Sequence, residues 1–321
     1  MFEIATLTMN PTIDVALEVD RIRHTHKLRG HSETHAPGGG GICVARVFVR
    51  LGGNARCYYL SGGPMGAALD GLLDLHQLVR KRIPIGGETR LCTTVYDRES
   101  GKEYRFMAEG PVVAEAEWRA CLDAIAEVRC DYLVASGSLP QDVPADFYAR
   151  VARVAEKRGI RFVLDSSGPA LAQGLAGPPV FLVKPSLGEF RALTGLPLES
   201  EDAIAAAAAE LARRGPAEHV VVTMGRDGAL LANADGVLRL PSPQVTTASA
   251  TGAGDSFVAA MVHALASGRD VREAFRFGMA GGAAAVLTPG SGLAPAAEIH
   301  RLYEQMRAKA ANAGNGEGGA G

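Results

Sequence analysis

The sequence is poor in the features that mark secreted, zinc-binding and membrane-spanning proteins. Aromatic residues make up 6% of its 321 residues, and there is one tryptophan. Its five cysteines are scattered and never spaced C-x-x-C, a pattern that favours a reduced, cytoplasmic protein over a disulfide framework. No apolar run reaches the roughly 18 residues of a membrane span. The N-terminus also lacks a charged and then apolar leader, so we expect neither secretion nor membrane insertion.

Neither sign of charge is in excess. Lysine and arginine total 33 against 35 aspartates and glutamates, which gives a formal net charge of −2. Such a balance gives no reason to expect a nucleic-acid partner. Glycine is abundant, with 39 residues, and together with long alanine runs it suits a closely packed α/β fold. The length is sufficient for one large core and a small second element.

From about residue 115 onward, the hydrophobic pattern predicts strands that alternate with helices. Expected helices cover 115–128, 144–157, 169–175 and 202–213, and expected strands cover 132–135, 161–164, 180–183 and 219–223. This alternation predicts a parallel sheet covered on both faces. Ligands bind such sheets at the carboxyl ends of the strands. The residues to examine are therefore those at 136–138, 165–167, 184–186 and 223–225.

The first hundred residues are less regular. We expect strands at 2–8, 13–19 and 55–60, helices at 42–51 and 66–75, and a hairpin that joins 90–97 to 102–107. The polar stretch 20–36 has little apolar content and predicts an exposed sheet or flap. A second hairpin is expected at 228–240, followed by two helices, the second over 271–287. The Gly-rich tail 312–321 is expected to be disordered.

A Gly-rich turn late in the chain carries the main chemical signal. Gly252, Ala253 and Gly254 lead into Asp255, and the apolar spacing that follows predicts a helix with this carboxylate in its first turn. Unpaired backbone N–H groups and the positive end of the helix dipole suit a phosphate or a developing anion. An acid at that point could take a proton from an attacking hydroxyl, which indicates phosphoryl transfer to an alcohol. The alternative is an ordinary capped helix start.

Two distant motifs in one order resemble the PfkB/ribokinase family of sugar kinases. They are the glycines at 38–41 that open a helix at Ile42, and the stretch 251–255. The resemblance covers about residues 1–308. Shorter stretches at 104–106, 136–140, 165–168 and 183–185 resemble the minor-type bacterial 6-phosphofructokinase branch. The resemblance implies a ribokinase-like three-layer α/β/α domain over 1–311 with a mostly parallel central sheet. A small β-sheet lid would be built from about 10–36 and 86–110, and homodimers would form through the lids.

The activity that this resemblance implies is ATP-dependent phosphoryl transfer to a phosphoketose, first of all fructose 6-phosphate to fructose 1,6-bisphosphate. Tagatose-6-phosphate kinase and 1-phosphofructokinase are alternatives within the class. A non-catalytic sugar-phosphate sensor on the same fold is an alternative outside it. A dinucleotide-dependent dehydrogenase is disfavoured, because no G-x-G-x-x-G follows the first strand.

The resemblance also implies roles for individual residues. Asp255 would be the general base, with an anion hole formed at Gly252, Ala253 and Gly254. The sugar phosphate would contact Asp14, Lys27, Arg29, Gly38, Gly39, Gly40, Cys43, Arg90, Arg105 and Ser138. ATP would contact Lys184, Ser186, Thr223, Gly225 and Gly228. Glu189 would hold Mg²⁺ through water, and a monovalent cation such as K⁺ would lie among Ser249, Thr251, Thr288, Gly290 and Gly292.

Two positions depart from the family pattern, and one feature lies outside it. Cys43 stands where the glycine loop normally continues into asparagine, and a thiol is a weaker donor and acceptor than an amide. Ser186 replaces the asparagine of the family's Asn-x-x-Glu, which here ends at Glu189. Four histidines, His24, His26, His31 and His35, crowd the expected lid. If this stretch is a strand, the alternation of side chains would place His24 and His26 on the same face. The cluster could then be a metal site or part of the solvated surface of the lid.

Overall fold

The structure is a computed structural model that describes residues 3–247, 249–288 and 292–316. Its strands are β1 (Glu3–Thr8), β2 (Thr12–Val19), β3 (His31–Gly38), β4 (Asn54–Ser61), β5 (Val79–Pro84), β6 (Arg90–Asp97), β7 (Lys102–Met107), β8 (Tyr132–Ser136), β9 (Arg161–Asp165), β10 (Val180–Val183), β11 (Ala217–Thr223), β12 (Ala229–Asn233) and β13 (Gly236–Leu240). Its α-helices are α1 (Gly40–Arg50), α2 (Gly63–Leu75), α3 (Glu115–Ala126), α4 (Phe147–Lys157), α5 (Gly168–Leu175), α6 (Leu187–Thr194), α7 (Glu201–Arg214), α8 (Ala253–Ala266), α9 (Val271–Ala285) and α10 (Ala296–Gly316).

The large domain is built on a nine-stranded sheet with the order β13-β12-β11-β10-β9-β8-β1-β4-β5. The seven consecutive strands β11-β10-β9-β8-β1-β4-β5 run parallel to one another. Strands β12 and β13 add an antiparallel edge next to β11. One face packs on α1, α8, α9 and α10 around buried Phe48 and Phe275. The other packs on α3 to α7 around buried Phe147 and Phe190. This confirms the predicted mostly parallel sheet and three-layer α/β/α order.

A separate four-stranded sheet, with the order β3-β2-β6-β7, forms the lid. Strands β2 and β6 run parallel, and the predicted hairpin of β6 and β7 has the expected bounds. Residues 12, 14, 90, 92, 105 and 107 share one face, because directly paired residues point to the same side of a sheet. Within the polar stretch 20–36, only the part from His31 is a strand. His24 and His26 lie in a turn, with Thr25 at φ 61°, so their predicted placement on one strand face is wrong.

Three elements were not predicted from the sequence. The basic strand β5 is an edge strand with exposed side chains, so it lacks a continuous apolar run. Helix α6 is short, with 8 residues. Helix α10 buries Ile299 and Leu302 and extends to Gly316, into the segment expected to be disordered, while residues 317–321 lie outside the described part. No described helix has the length and apolar character of a membrane span.

Helices α8 and α9 approach each other closely at Gly281, which offers a test of this packing. A Cβ at Gly281 would lie 2.6 Å from Ala260 Cβ and from Ser256 O. We expect Gly281→Ala to lower the free energy of unfolding by about 1–3 kcal/mol, because it forces the two helices apart. The matched control is Gly71→Ala in the exposed part of α2, where no atom lies within 4 Å. That change should raise the same free energy by up to about 1 kcal/mol. Equal urea midpoints for the two variants would contradict this account of the interface.

Candidate active site

A cavity of about 420 Å³ lies between the lid and the carboxyl ends of the sheet strands. Its roof comes from the lid and its floor from the first turn of α8 and the ends of β8 and β9. Its size falls within the range of small-molecule sites. The cavity brings together eleven of the residues that the sequence analysis selected: Asp14, Gly39, Gly40, Cys43, Arg90, Arg105, Ser138, Glu189, Thr251, Gly252 and Asp255.

Asp255 lies in the first turn of α8, as predicted. Gly252 is the N-cap, with φ 74°, and no side chain caps this helix end. The backbone N–H groups of the first turn therefore have no partner inside the helix. Gly252 and Asp255 both line the cavity, and Ala253 and Gly254 complete the turn beneath it. This geometry presents unpaired donors and a carboxylate to the same space.

Asp255, Ser136, Asp165 and Lys184 form a chain of polar contacts that extends from the cavity into the large domain. Ser136 Oγ lies 3.3 Å from Asp255 Oδ1 and 3.3 Å from Asp165 Oδ2. Asp165 Oδ1 forms an ion pair at 3.1 Å with Nζ of Lys184, whose side chain is only 6% exposed. Lys184 sits directly beneath the helix start, since a Cβ at Gly254 would lie 3.3 Å from its amine. The buried cation therefore pairs with Asp165 and also lies close to the turn that carries Asp255.

This arrangement perturbs the acid–base properties of the floor. Desolvation, followed by the charge of Asp165, raises the pKa of Asp255 to about 7, although Lys184 and the Ser136 hydroxyl oppose the rise. Burial likewise raises the pKa of Asp165, against the pull of Lys184. Asp165 and Glu189 hold the pKa of Lys184 above its usual value despite burial. The result is a lysine that remains charged and a carboxylate, Asp255, that exchanges its proton near neutral pH.

Asp14 faces Asp255 from the lid side of the cavity. It is buried, and its Oδ1 has no hydrogen-bond partner among the described residues. Burial raises its pKa to about 6, while the nearby charges of Arg105, Arg46 and Arg90 oppose the rise. Gly38 makes room for this carboxylate, because a Cβ there would lie 2.4 Å from Asp14 Oδ2. An unpartnered buried acceptor that faces a cavity is suited to a ligand's hydroxyl group.

The glycine loop joins the lid to α1 and passes close to the floor. Gly39 has φ 105°, a conformation that favours glycine. A Cβ at Gly40 would lie 2.1 Å from Ser136 Oγ, so only glycine allows the loop to pack against Ser136. Cys43 follows in the first turn of α1, where it is buried, and burial raises its pKa well above the usual value. The thiol is therefore protonated and neutral.

Two arginines contribute to the roof, and they differ in their partners. Arg90 donates to two backbone carbonyls, from Nη1 to Ala108 O and from Nη2 to Asn10 O, both at 2.9 Å. Its Nε is a buried donor without a partner among the described residues. Arg105 donates from Nε to Cys92 Sγ at 3.1 Å. Arg90 thus ties the two ends of the lid together, while Arg105 is held by a thiol.

Another predicted sugar contact, Ser138, lies just beyond β8. Asn10 Nδ2 approaches its Oγ at 3.4 Å and donates to Glu109 O at 3.1 Å. One amide therefore connects the end of a body strand to the end of the lid. Ser138 lies at the boundary where the lid meets the body.

The predicted ATP residues lie along the neighbouring strand ends. Glu189 lines the cavity and also caps α6, accepting from Ser186 N at 2.7 Å and from Ser186 Oγ at 2.8 Å. Ser186 therefore supports the glutamate rather than lining the cavity itself. Thr223 N donates to Pro185 O at 3.1 Å, which places it one strand further along. Gly225 and Gly228 flank the turn after β11 with φ 61° and 102°.

Several predicted residues are not brought to the cavity of a single chain. Lys27 and Arg29 are exposed in the lid loop before β3. The four lid histidines are exposed, and no group of three metal-binding side chains occurs within the described ranges. Two of the residues expected to hold a monovalent cation form hydrogen bonds through their backbone. Ser249 N donates to Val286 O at 3.3 Å, and Thr251 N donates to Ser249 Oγ at 3.2 Å. Thr288 and Gly292 are the described residues on either side of 289–291, and Gly290 lies outside the described residues.

The sequence analysis gave no role to several residues that line the cavity. Ser136 and Asp165 are the most important, and each is the last residue of a parallel strand. The sequence analysis selects both positions as strand ends, within 136–138 and 165–167, but without a role. The pairing of Asp165 with Lys184 depends on the spacing of β9 and β10, which the sequence does not reveal. The other cavity-lining residues without a predicted role are Thr12, Met107, Gly137, Ser166, Ser167 and Leu293.

The proton affinity of Asp255 can be measured without any substrate. In a ¹³C-carboxyl NMR titration, we expect Asp255 to titrate near pH 7, with Asp255→Asn to assign its resonance. Ser136→Ala removes a donor to the carboxylate and should raise this pKa further, because the charged form loses a hydrogen bond. Ser267→Ala, at the opposite end of α8, is the matched control and should leave it unchanged. A midpoint near pH 4, the ordinary aspartate value, would refute this description of the floor.

Comparison with known proteins gives consistent matches along the chain. Residues 7–297 match the model of the pfkB family of carbohydrate kinases. The chain is 41% identical over 303 residues to ATP-dependent 6-phosphofructokinase isozyme 2 of Mycobacterium tuberculosis, covering 94% of this chain and 89% of the relative. It is 36% identical over 307 residues to the Escherichia coli protein of the same name, covering 95% and 99%. A 1-phosphofructokinase of Bacillus subtilis is 30% identical, covering 88% and 91%.

Solved structures agree with this result. Phosphofructokinase-2 from Escherichia coli in complex with potassium superimposes with a TM-score of 0.92, and its complex with fructose-6-phosphate with a TM-score of 0.90. Both are 36% identical in sequence and cover 96% of this chain and 100% of the solved chain. The lid and the large domain therefore both have counterparts in these relatives.

Proposed function

The chain belongs to the pfkB family of carbohydrate kinases and is an ATP-dependent sugar-phosphate kinase, and we propose that it phosphorylates fructose 6-phosphate to fructose 1,6-bisphosphate. One observation carries this proposal. A carboxylate with a pKa of about 7 lies at an uncapped helix start and faces two lid guanidinium groups across one cavity. The acid suits proton removal from a hydroxyl, and the guanidinium groups suit a phosphate already present on the acceptor.

In this mechanism Asp255 is the general base. It accepts the proton of the acceptor hydroxyl as the oxygen attacks the γ-phosphorus of ATP, and the bond from that phosphorus to the β,γ-bridging oxygen breaks to release ADP. Backbone N–H groups at Gly252, Ala253 and Gly254 donate to the equatorial oxygens of the transferred group, where charge is spread in the transition state. Lys184 lies beneath this turn, and its charge stabilises the same anion. Its contact with ATP phosphate would require an adjustment of its pair with Asp165.

The lid provides recognition of the sugar phosphate. Asp14 would accept from sugar hydroxyls through its unpartnered oxygen, and the Gly39–Gly40 backbone would approach the ring. The Nη groups of Arg105 would bind the phosphate, since guanidinium groups suit such anions, and the nearby positive charge of Arg90, which also lines the cavity, would favour the same anion. Ser138 would contact the sugar from the body side. Lys27 and Arg29 could take part only if the lid of a second chain carried them to the site.

The nucleotide would lie beside the cavity, toward Ser186, Thr223, Gly225 and Gly228. Glu189 lines this side and offers carboxylate oxygen, the ligand that Mg²⁺ prefers, with water in between. When bound with ATP, Mg²⁺ would neutralise phosphate charge. The backbone near Ser249 and Thr251, which turns against the end of α9, would hold K⁺. Thr288, Gly290 and Gly292 would complete that site.

The outer face of the lid supports a homodimer. Leu91, Tyr104 and Phe106 lie on the face opposite Asp14 and are 41%, 38% and 61% exposed. An exposed apolar face of this kind is typical of an interface. We infer that two lids pair through it.

The alternatives differ in what they require of the site. A sugar-phosphate sensor has no need of a base at the helix start, so the perturbed pKa of Asp255 favours catalysis. A 1-phosphofructokinase or a tagatose-6-phosphate kinase would use the same chemistry on another phosphoketose. The similarity to a 1-phosphofructokinase at 30% identity makes it the second candidate.

The direct experiment is a coupled ADP-release assay with ATP and Mg²⁺. Its acceptors are fructose 6-phosphate, fructose 1-phosphate, tagatose 6-phosphate and unphosphorylated fructose. We expect the highest kcat/KM with fructose 6-phosphate, because the relatives of 41% and 36% identity are both named 6-phosphofructokinase. We expect the lowest with unphosphorylated fructose, because the lid guanidinium groups favour an anion on the acceptor. A preference for fructose 1-phosphate would replace the proposed substrate. Absence of turnover with every sugar would favour the sensor.

The base is tested by Asp255→Asn, which keeps the shape of the side chain but cannot accept the proton. We expect kcat to fall by about 10²-fold or more, with the Kd for the sugar phosphate little changed. The matched control is Asp202→Asn, which alters an acid in the first turn of α7. Near-normal kcat in Asp255→Asn would refute the assigned role.

Phosphate recognition by the lid is tested by Arg105→Ala. We expect KM for fructose 6-phosphate to rise about 10-fold or more, with KM for ATP within about twofold, because a charge-assisted contact to the sugar phosphate is lost. Arg98→Ala removes another lid arginine, which pairs with Glu18 on the surface, and should change neither constant. An equal rise in both KM values would contradict the role of Arg105.

The departure at Cys43 is tested with Cys43→Asn in the same acceptor series. An amide would supply a stronger donor and acceptor than the thiol at the sugar pocket. We expect a lower KM for the ketose or a changed order of preferred acceptors. An unchanged profile would show that the thiol has no part in sugar selection.

A further inference from the structure

Besides Cys43 of α1, the structure has a buried cysteine in the lid, Cys92, at a position that the proposed mechanism does not use. It sits on β6, directly opposite Asp14 of β2 and Met107 of β7. Its side chain points to the cavity side of the lid, because its paired residues Asp14 and Met107 line the cavity. It is nevertheless covered, with 1% of its surface exposed. A buried thiol among ligand-facing residues therefore needs an account of its own.

The covering group is Arg105, whose Nε donates to Cys92 Sγ at 3.1 Å. Arg105 is paired with Thr94, one step along the same face, so the guanidinium leans diagonally across the hairpin to reach the sulfur. Once Nε is occupied, the donors that remain for a ligand are the two Nη groups. An arginine side chain is long and flexible, and a contact that fixes it reduces the entropy lost when it binds an anion.

The same contact affects Asp14. Arg105 is the nearby charge that most lowers the pKa of this carboxyl, yet no ion pair joins the two within the described ranges. Asp14 Oδ1 is left without a partner among those residues. If Arg105 were released from the sulfur, it could close on Asp14, and both groups would be lost to an incoming ligand.

We propose that Cys92 is a positioning residue that anchors the Nε of Arg105, so that its Nη groups face the cavity and Asp14 remains open. The inference rests on the proposed function, because it assigns Arg105 to the phosphate of a sugar phosphate. A thiol is a weak acceptor, so its role is to orient the guanidinium rather than to stabilise the lid.

The test combines kinetics with a measurement that needs no substrate. The variants are Cys92→Ala, which removes the acceptor, and Cys92→Ser, which keeps a hydroxyl acceptor at the same place. The control is Cys57→Ala, which removes an equally buried thiol from β4 in the large domain. Arg105→Lys assigns the Nε–Hε resonance of Arg105 by NMR and completes a double-mutant cycle. Thermal unfolding of each variant establishes that it is folded.

Cys92→Ala should shift the Arg105 Nε–Hε resonance and raise KM for fructose 6-phosphate about five- to tenfold, with kcat and KM for ATP within about twofold. Cys92→Ser should recover part of the loss, and Cys57→Ala should move neither readout. In the Arg105→Lys background, Cys92→Ala should have no further effect on KM.

Three results would overturn the proposal. The first is an unshifted resonance in Cys92→Ala, the second is a rise in KM of the same factor with and without Arg105, and the third is an unchanged KM despite a shifted resonance. Failure of the kinase assignment would look different, because wild-type protein would then turn over none of the sugar phosphates. The resonance would still decide whether Cys92 anchors Arg105. An unchanged KM with a shifted resonance would show that the anchor exists without serving substrate binding, which also rejects the positioning role.

Discussion

The ion pair between Lys184 and Asp165, buried beneath the first turn of α8, is the constraint on which the site depends. A buried charge is costly unless it is paired, and this pair forms at 3.1 Å with a lysine that is almost fully covered. The charge of Asp165 adds to burial in raising the pKa of Asp255 to about 7, while Lys184 and the Ser136 hydroxyl, which lies 3.3 Å from both carboxylates, oppose the rise. The chemistry of the floor is therefore set by residues at the ends of three strands and one helix start.

The large sheet and the lid each supply one side of the cavity. The parallel order places β8, β9 and β10 side by side, so their last residues meet, and the glycine loop is pressed against Ser136. From the other side, the lid presents Asp14, Arg90 and Arg105. Asn10 and Arg90 hold the lid ends through backbone contacts. The distance between base and phosphate-binding groups thus follows from how two sheets are joined.

Much of this could be predicted from the sequence, and the missing parts have physical reasons. Strong alternation after residue 115 predicted the parallel sheet, and motif order predicted Asp255, Asp14 and the glycine loop. Strand β5 was missed because an exposed basic edge strand has no apolar signature. The contact of Lys184 with ATP stays a prediction, and its ion pair with Asp165 is a long-range contact that no local pattern encodes. Lys27 and Arg29 shared the lid segment with true cavity residues, yet loop geometry keeps them outside.

The central claim is that Asp255 acts as a base whose pKa is raised by burial and adjusted by the charges of this ion pair. The most direct measurement is the dependence of kcat/KM for fructose 6-phosphate on pH, from about pH 5 to about pH 9. The base must be unprotonated to act, and its pKa is about 7. The account therefore predicts a loss of about tenfold per pH unit below that value. A profile that stays flat down to about pH 5 would contradict it, because the reaction would then proceed with Asp255 protonated.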